Sequence, residues 1–193
     1  LGDGRFGIIV ADVSGHGAPA AIVMAMIRAV VHTYPGVADD PPALLHYLNR
    51  HFRYLWDPAM FATGIYAVLD ANRRVLRLSC AGHPAPLLIR GNAVAPVPVE
   101  SAIALLWNEL GDVACVEHAV QSGDRIVFFT DGITDRQAPD ETMYEGERLA
   151  SALASLGTLD PRAIVDRTMA GLDVFARGHE PVDDQTLLVV GIN

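Results

Sequence analysis

Phe6-Gly7-Ile8-Ile9-Val10-Ala11-Asp12-Val13-Ser14-Gly15-His16-Gly17 is the segment on which the architecture hinges. Its first eight residues are a short apolar run rich in β-branched side chains, the pattern of a buried strand, and the Ser-Gly-His-Gly that follows is a turn. A helix is predicted next. Pro19 suits a first helical position, and Ile22, Val23, Met26, Ile27, Val30, Val31 and Tyr34 recur at three- and four-residue spacing until Pro35-Gly36 ends the pattern. A second helix is predicted after Asp40-Pro41-Pro42, with Leu44, Leu45, Leu48, Phe52 and Leu55 on one face.

Working outward, the period changes between Met60 and Pro98. Runs at Gly64 to Asp70, Val75 to Cys80, Pro86 to Arg90 and Ala93 to Val97 are separated by Asn72-Arg73 and Gly91-Asn92, which predicts an antiparallel meander. Further strands are predicted at Val113 to Val120 and, after Ser122-Gly123-Asp124, at Arg125 to Thr130. Helices return at Gly146 to Leu156 and Pro161 to Phe175. The second of these has Asp160 as its N-cap and Ile164, Val165, Met169 and Leu172 as its stripe. Thr186 to Ile192 closes as a strand. A helix pair, a strand block, a second helix pair and a last strand do not alternate as a parallel-sheet fold would, so the expectation is an α+β layered sandwich.

Composition excludes several classes of function. The 193 residues, 51% apolar and 19% charged, suit one globular domain. The formal charge of −9 and the lack of an Arg-rich stripe disfavour nucleic acid as a partner. No apolar run approaches the roughly 18 residues that span a bilayer, so no membrane contact is expected. Cys80 and Cys115 are too few and too far apart for a disulfide framework or a zinc cluster, which fits a reducing cytoplasm. Every basic residue is Arg and there is no Lys. A phosphate-binding loop ending in Gly-Lys, a Schiff-base lysine and the lysine of nucleotide kinases are thereby excluded.

Acidic residues share one context. Asp12 closes an apolar strand, Asp131 follows Val127-Phe128-Phe129-Thr130, and Asp183-Asp184 precede Leu187-Leu188-Val189-Val190. Carboxylates at the ends of buried strands repel one another and lose hydration, so bringing them together needs compensation, which a pair of divalent cations would supply. Oxygen donors without Cys or His spacing point to magnesium or manganese rather than zinc. The alternative for each Asp alone is a turn cap, common beside Gly or Ser.

Four ordered segments carry a resemblance. Ala11-Asp12-Val13-Ser14-Gly15-His16-Gly17, then Ala81-Gly82-His83-Pro84, then Phe129-Thr130-Asp131-Gly132-Ile133-Thr134-Asp135, and last Asp183-Asp184-Gln185-Thr186 resemble phosphatases of the sporulation stage II protein E type. These belong to the metal-dependent protein phosphatase 2C superfamily. The resemblance runs from about Phe6 to Ile192 and implies an antiparallel β-sandwich flanked by helical layers, with two Mn2+ or Mg2+ ions at one end. It implies that Asp12 bridges both ions, that the Val13 carbonyl adds a ligand, that Asp131 and Asp183 hold the second ion, and that Asp184 lies nearby.

The chemistry implied is in-line attack on phosphorus by a water that the two cations acidify. Asp12, Asp131 and His16 would be the catalytic residues, His16 protonating the leaving serine or threonine oxygen; the alternative for His16 is turn packing. His83 reads as structural. The implied substrate is a phosphorylated anti-sigma-factor antagonist protein, and the helices over residues 19 to 55 are a candidate regulatory switch. The resemblance also leaves room for a homodimer. A phosphatase-like regulatory binding module without turnover is the competing class.

Rival chemistries fail on spacing. A cysteine phosphatase needs Arg six residues after its Cys, where Pro86 and Gln121 stand. A nucleophile elbow at Ser14 would need glycine at the place of Asp12. His46 and His51, five apart on one helix, make a poor metal pair. The family pattern also has a Gly-Gly-Asp segment on a strand before the first one here. With no initiating Met, the expectation is one catalytic domain over 1–193 that lacks that strand and any upstream sensor modules.

Overall fold

The apolar run at the start of the chain does form a strand, and each later segment is arranged on one of two sheets. The protein is described by a computed structural model covering residues 1–52 and 60–193. In chain order the elements are β1 (Arg5–Val13), α1 (Ala18–His32), α2 (Pro41–His51), β2 (Ala62–Asp70), β3 (Val75–Ala81), β4 (Leu87–Arg90) and β5 (Ala93–Pro96). They continue with β6 (Ser101–Ala102), β7 (Val116–Ala119), β8 (Arg125–Phe129), α3 (Asp131–Thr134), α4 (Glu145–Ala154), α5 (Pro161–Ala176) and β9 (Leu187–Gly191). They divide between two units, Leu1–His83 with Pro98–Ala119, and Pro84–Val97 with Val120–Asn193.

In the first unit the sheet runs β1-β2-β3-β6, with β7 also paired to β3. β1 and β2 are antiparallel with Arg5 opposite Asp70 and Val13 opposite Ala62. Helix α1 starts behind Gly17, whose φ of 77° suits a residue without a Cβ. Helix α2 is capped by Asp40, whose carboxylate accepts the Ala43 N–H at 3.1 Å. Its periodicity places Leu44, Leu45 and Leu48 in the core with Val13, Ile27, Ala62 and Val68. Truncating one such buried leucine to alanine costs about 3 kcal/mol. Phe52 joins the same cluster, while Leu55, the last residue of the predicted stripe, lies outside the described residues.

The second unit carries the sheet β5-β4-β8-β9. Leu149 and Leu153 of α4 and Ile164 and Leu172 of α5 cover it together with Ile89, Val127 and Val189. Asp160 caps α5 as predicted, accepting the Ala163 N–H at 3.0 Å. The buried stripe of α5 is Ile164, Thr168, Leu172 and Ala176, whereas Val165 and Met169 are only partly buried. Among the described residues, no helix is long and apolar enough to cross a membrane.

The expected single meander is corrected. β2 and β3 pair in the first sheet, but β4 pairs with β5 and β8 in the second. The change falls at Ala81-Gly82-His83-Pro84-Ala85-Pro86. Gly82, at φ 69°, turns its N–H to the Ala102 carbonyl at 3.0 Å and the Ser101 hydroxyl at 2.8 Å. Two prolines without N–H groups then prevent the ladder from continuing. The brief β3–β6 pairing is parallel, so the first sheet is antiparallel except there. The strand expected at Val113 to Val120 is confined to Val116–Ala119, and α3 was not expected at all.

One polar contact locks the second sheet. Asp124, only 1% exposed, accepts Nε and Nη2 of Arg90 at 2.9 and 2.7 Å and the Gln121 N–H at 2.9 Å. Burial alone would raise its pKa, but the Arg90 fork, the Gln121 N–H and the charges of Arg90 and Arg125 outweigh burial and hold it below the ordinary 3.8. A depressed folded-state pKa contributes stability above the unfolded value, and that stability is lost as the pH falls through the folded value. Asp124→Asn is expected to lower stability by about 2–3 kcal/mol at pH 7 in denaturant titrations, by leaving Arg90 short of its partner. The gap between wild type and variant should close as the pH drops below 3.8.

Candidate metal centre

Asp12 is set by the register of the first unit. It stands opposite Thr63, one residue before the end of β1, and is partly buried. Ser14 donates its N–H to the Phe61 carbonyl and accepts the Phe61 N–H on its hydroxyl, both at 2.9 Å. Ser14 and Phe61 therefore form a bonded pair, and alternation makes Val13–Ala62 a non-bonded one. Ala62 indeed sends its N–H to the Leu105 carbonyl at 2.9 Å. The Val13 carbonyl accordingly faces away from β2, and β1 is the outermost strand of its sheet.

His16 lies between Gly15 and Gly17, both at positive φ, and is exposed. His83 is 5% exposed; its Nδ1 meets the Thr63 hydroxyl at 2.8 Å, and its carbonyl accepts Cys80 Sγ at 3.1 Å. His83 is thereby bonded to the residue that stands opposite Asp12 in the β1–β2 register.

In the second unit Asp131, Asp183 and Asp184 come together although 51 residues separate the first two in sequence. Thr130 makes the join. Its N–H donates to the Thr186 carbonyl at 3.1 Å, its hydroxyl donates to the Asp184 carbonyl at 3.1 Å, and the same hydroxyl accepts the Thr186 N–H at 3.0 Å. Gln185 Nε2 adds a bond to the Gly132 carbonyl at 3.1 Å. The approach is so close that a Cβ on Gly132 would lie 2.2 Å from the Asp184 carbonyl oxygen. Asp131 opens the one-turn helix α3 on this platform.

Asp131 and Asp183 present carboxylate oxygens within 4.8 Å of each other. Asp131 Oδ1 is buried and accepts no hydrogen bond among the described residues. A buried carboxylate oxygen without a donor, on a side chain set beside a second carboxylate, is costly unless a cation compensates it. All donors are hard oxygens, which suits Mg2+ or Mn2+. The residues present therefore fit a divalent ion. Asp183 is exposed and steadied by accepting the Asp184 N–H at 2.8 Å.

Two contributors were not singled out in the sequence. Thr130 sits inside a recognisable motif, yet nothing in its residue type reveals that its hydroxyl ties two distant segments. Arg136, one residue past Asp135, is buried at 5% exposure, where arginine is rarely found.

Comparison with known proteins places the fold and the family. The SiaA-PP2C domain of Pseudomonas aeruginosa superposes with a TM-score of 0.86 at 22% identity, covering 98% of this chain and 81% of that one. The RsbU and RsbW domains of Rv1364c from Mycobacterium tuberculosis superpose at 0.79 and 26% identity, over 96% of this chain and 51% of that one. The phosphoserine phosphatase RsbU of Bacillus subtilis (strain 168) is 28% identical over 130 residues, 66% of this chain and 38% of that protein. The fold is thus α+β of the protein phosphatase 2C class. Residues 2–193 match the stage II sporulation protein E (SpoIIE) family, and the chain belongs to it. It spans less than half the length of the curated relatives it matches.

Gly132→Ala is expected to cost about 2 kcal/mol or more, because the added methyl must displace the Asp184 main chain. Thermal unfolding checks the loss; an unchanged transition would mean that the Thr130–Asp184 platform yields freely.

Proposed function

We propose that this chain is a metal-dependent serine/threonine protein phosphatase that hydrolyses phosphoserine or phosphothreonine on a regulatory partner protein. The observation that carries the reading is Asp131 Oδ1, buried without a hydrogen bond among the described residues, on a side chain whose carboxylate comes within 4.8 Å of that of Asp183. Family membership and the phosphoserine phosphatases among its relatives support it. In this reading Asp12 of the first unit joins Asp131 and Asp183 in holding two divalent cations, Mn2+ or Mg2+. The Val13 carbonyl, which faces away from β2, adds a ligand, and Asp184 supports Asp183 through its N–H. When bound, the cations lower the pKa of water and offset charge on the phosphoryl oxygens.

The chain's own residues do the rest. Asp131 and Asp183 fix the cation positions from a platform that Thr130 and Gly132 make rigid. His16, exposed between two glycines at positive φ, delivers a proton to the leaving serine or threonine oxygen. The partner proposed is a phosphorylated anti-sigma-factor antagonist in the cytoplasm, with upstream sensor modules regulating the domain. Relatives named RsbU and RsbP, and the structure that couples RsbU and RsbW domains, support that choice.

Phosphate release from a phosphoserine peptide should rise with Mn2+ and saturate. Asp131→Asn should lower kcat by about 100-fold or more while leaving the thermal transition in place. No release at saturating Mn2+ would instead support a phosphatase-like binding module.

A further inference from the structure

Arg136 is a buried cation that the proposed reaction leaves unexplained. Its residue is 5% exposed, and Nε and Nη1 are buried without hydrogen-bond partners among the described residues. No ion pair to it is present among the described residues. Enclosing a guanidinium with two donors unmet is expensive, and an apolar side chain of similar volume would pack there at lower cost. Its placement must therefore serve something that an apolar residue could not supply.

What it does supply is a strong donor to a loop. Nη2 donates to the main-chain carbonyl of His179. The Arg136 carbonyl itself accepts the Tyr144 N–H at 2.9 Å, so the arginine is anchored from behind by a buried tyrosine. His179 belongs to the loop that leaves α5 and presents Asp183. This loop reverses at Arg177 (φ 48°) and Gly178 (φ 84°), with the His179 N–H bonded to the Ala176 carbonyl at 2.8 Å. At its far end the loop is tied to Thr130 and Gly132. Arg136 grips the span between these two ends, and Asp183 lies four residues beyond the point gripped.

We propose that Arg136 is a positioning residue for Asp183: its buried guanidinium clamps the His179 carbonyl and so holds the 177–184 loop where the Asp183 carboxylate faces Asp131. The inference rests on the cation site proposed above and adds its support to it. Charge is part of the role, because a charged donor bonds a carbonyl more strongly than a neutral one. Residues that orient metal ligands without touching the ion commonly carry 10- to 100-fold of the affinity.

Calorimetric titration of the chain with Mn2+ tests this without any turnover. Arg136→Met should weaken Mn2+ binding about 10-fold or more, and Arg136→Lys, which keeps charge but loses the fork, by less. His179→Ala should bind as wild type does, because the acceptor is main chain. Wild-type affinity in the Arg136 variants would overturn the inference while leaving the metal site standing. If Arg136→Met shows no cooperative thermal transition, Arg136→Lys decides by the same criterion. A wild-type chain that takes up no Mn2+ would overturn the cation site itself, and the role of Arg136 with it.

Discussion

The Thr130 hydroxyl, bonded at once to the Asp184 carbonyl and the Thr186 N–H, is the contact on which the second half of the molecule depends. It ties the end of β8 to the start of β9, and the absence of a side chain on Gly132 lets the two main chains meet. Two carboxylates are then held within 4.8 Å, an arrangement that would push itself apart were the backbone beneath not fixed. The strain is electrostatic and the restraint is geometric. That combination, a rigid platform beneath repelling charges, is what a cation site requires before the cation arrives.

The first unit applies the same logic with different means. Its core is aliphatic, built from the leucines of α2 against β2, and one buried polar residue secures the loop beyond the sheet. Asn49 Nδ2 donates to the Asn108 carbonyl and its Oδ1 accepts the Leu106 N–H, both at 2.8 Å. Leu106 is thereby held at φ 70°, a conformation that a branched side chain adopts only when its surroundings compel it. Leu105 then reaches the Ala62 N–H and the Leu106 side chain stays buried. Thus α2, through Asn49, helps to shape the strand end opposite Val13.

Acidity at the centre is matched by a restrained use of positive charge. With no lysine in the chain, each cationic side chain is an arginine, which can fork and which stays charged when buried. Arg90 forks Nε and Nη2 onto Asp124, locking the turn before β8; Arg136 donates to a carbonyl of the loop that carries Asp183. Both lie in the unit that carries Asp131 and Asp183, and neither neutralises them. In the proposed reading, the carboxylates are kept for a ligand of higher charge density than a guanidinium.

Much of this was legible before any coordinates. The strand at β1, the helices capped by Asp40 and Asp160, and the acidic positions at strand ends follow from period, capping chemistry and turn residues, which are local properties. The four ordered motifs named the family because they preserve residue type and order over nearly the whole chain. The sheet to which β4 belongs was not legible, since a proline-rich link looks alike whether the chain returns to its sheet or leaves it. Nor was the bridging hydroxyl of Thr130 or the burial of Arg136, although the resemblance already implied that Asp131 and Asp183 share an ion. Those depend on segments far apart in sequence meeting through main-chain groups, and main-chain groups are the same in every residue. Sequence alone determined which side chains were available and roughly where the longer strands and helices would run; tertiary structure alone decided which of them face one another, because that outcome is set by packing and register rather than by residue type.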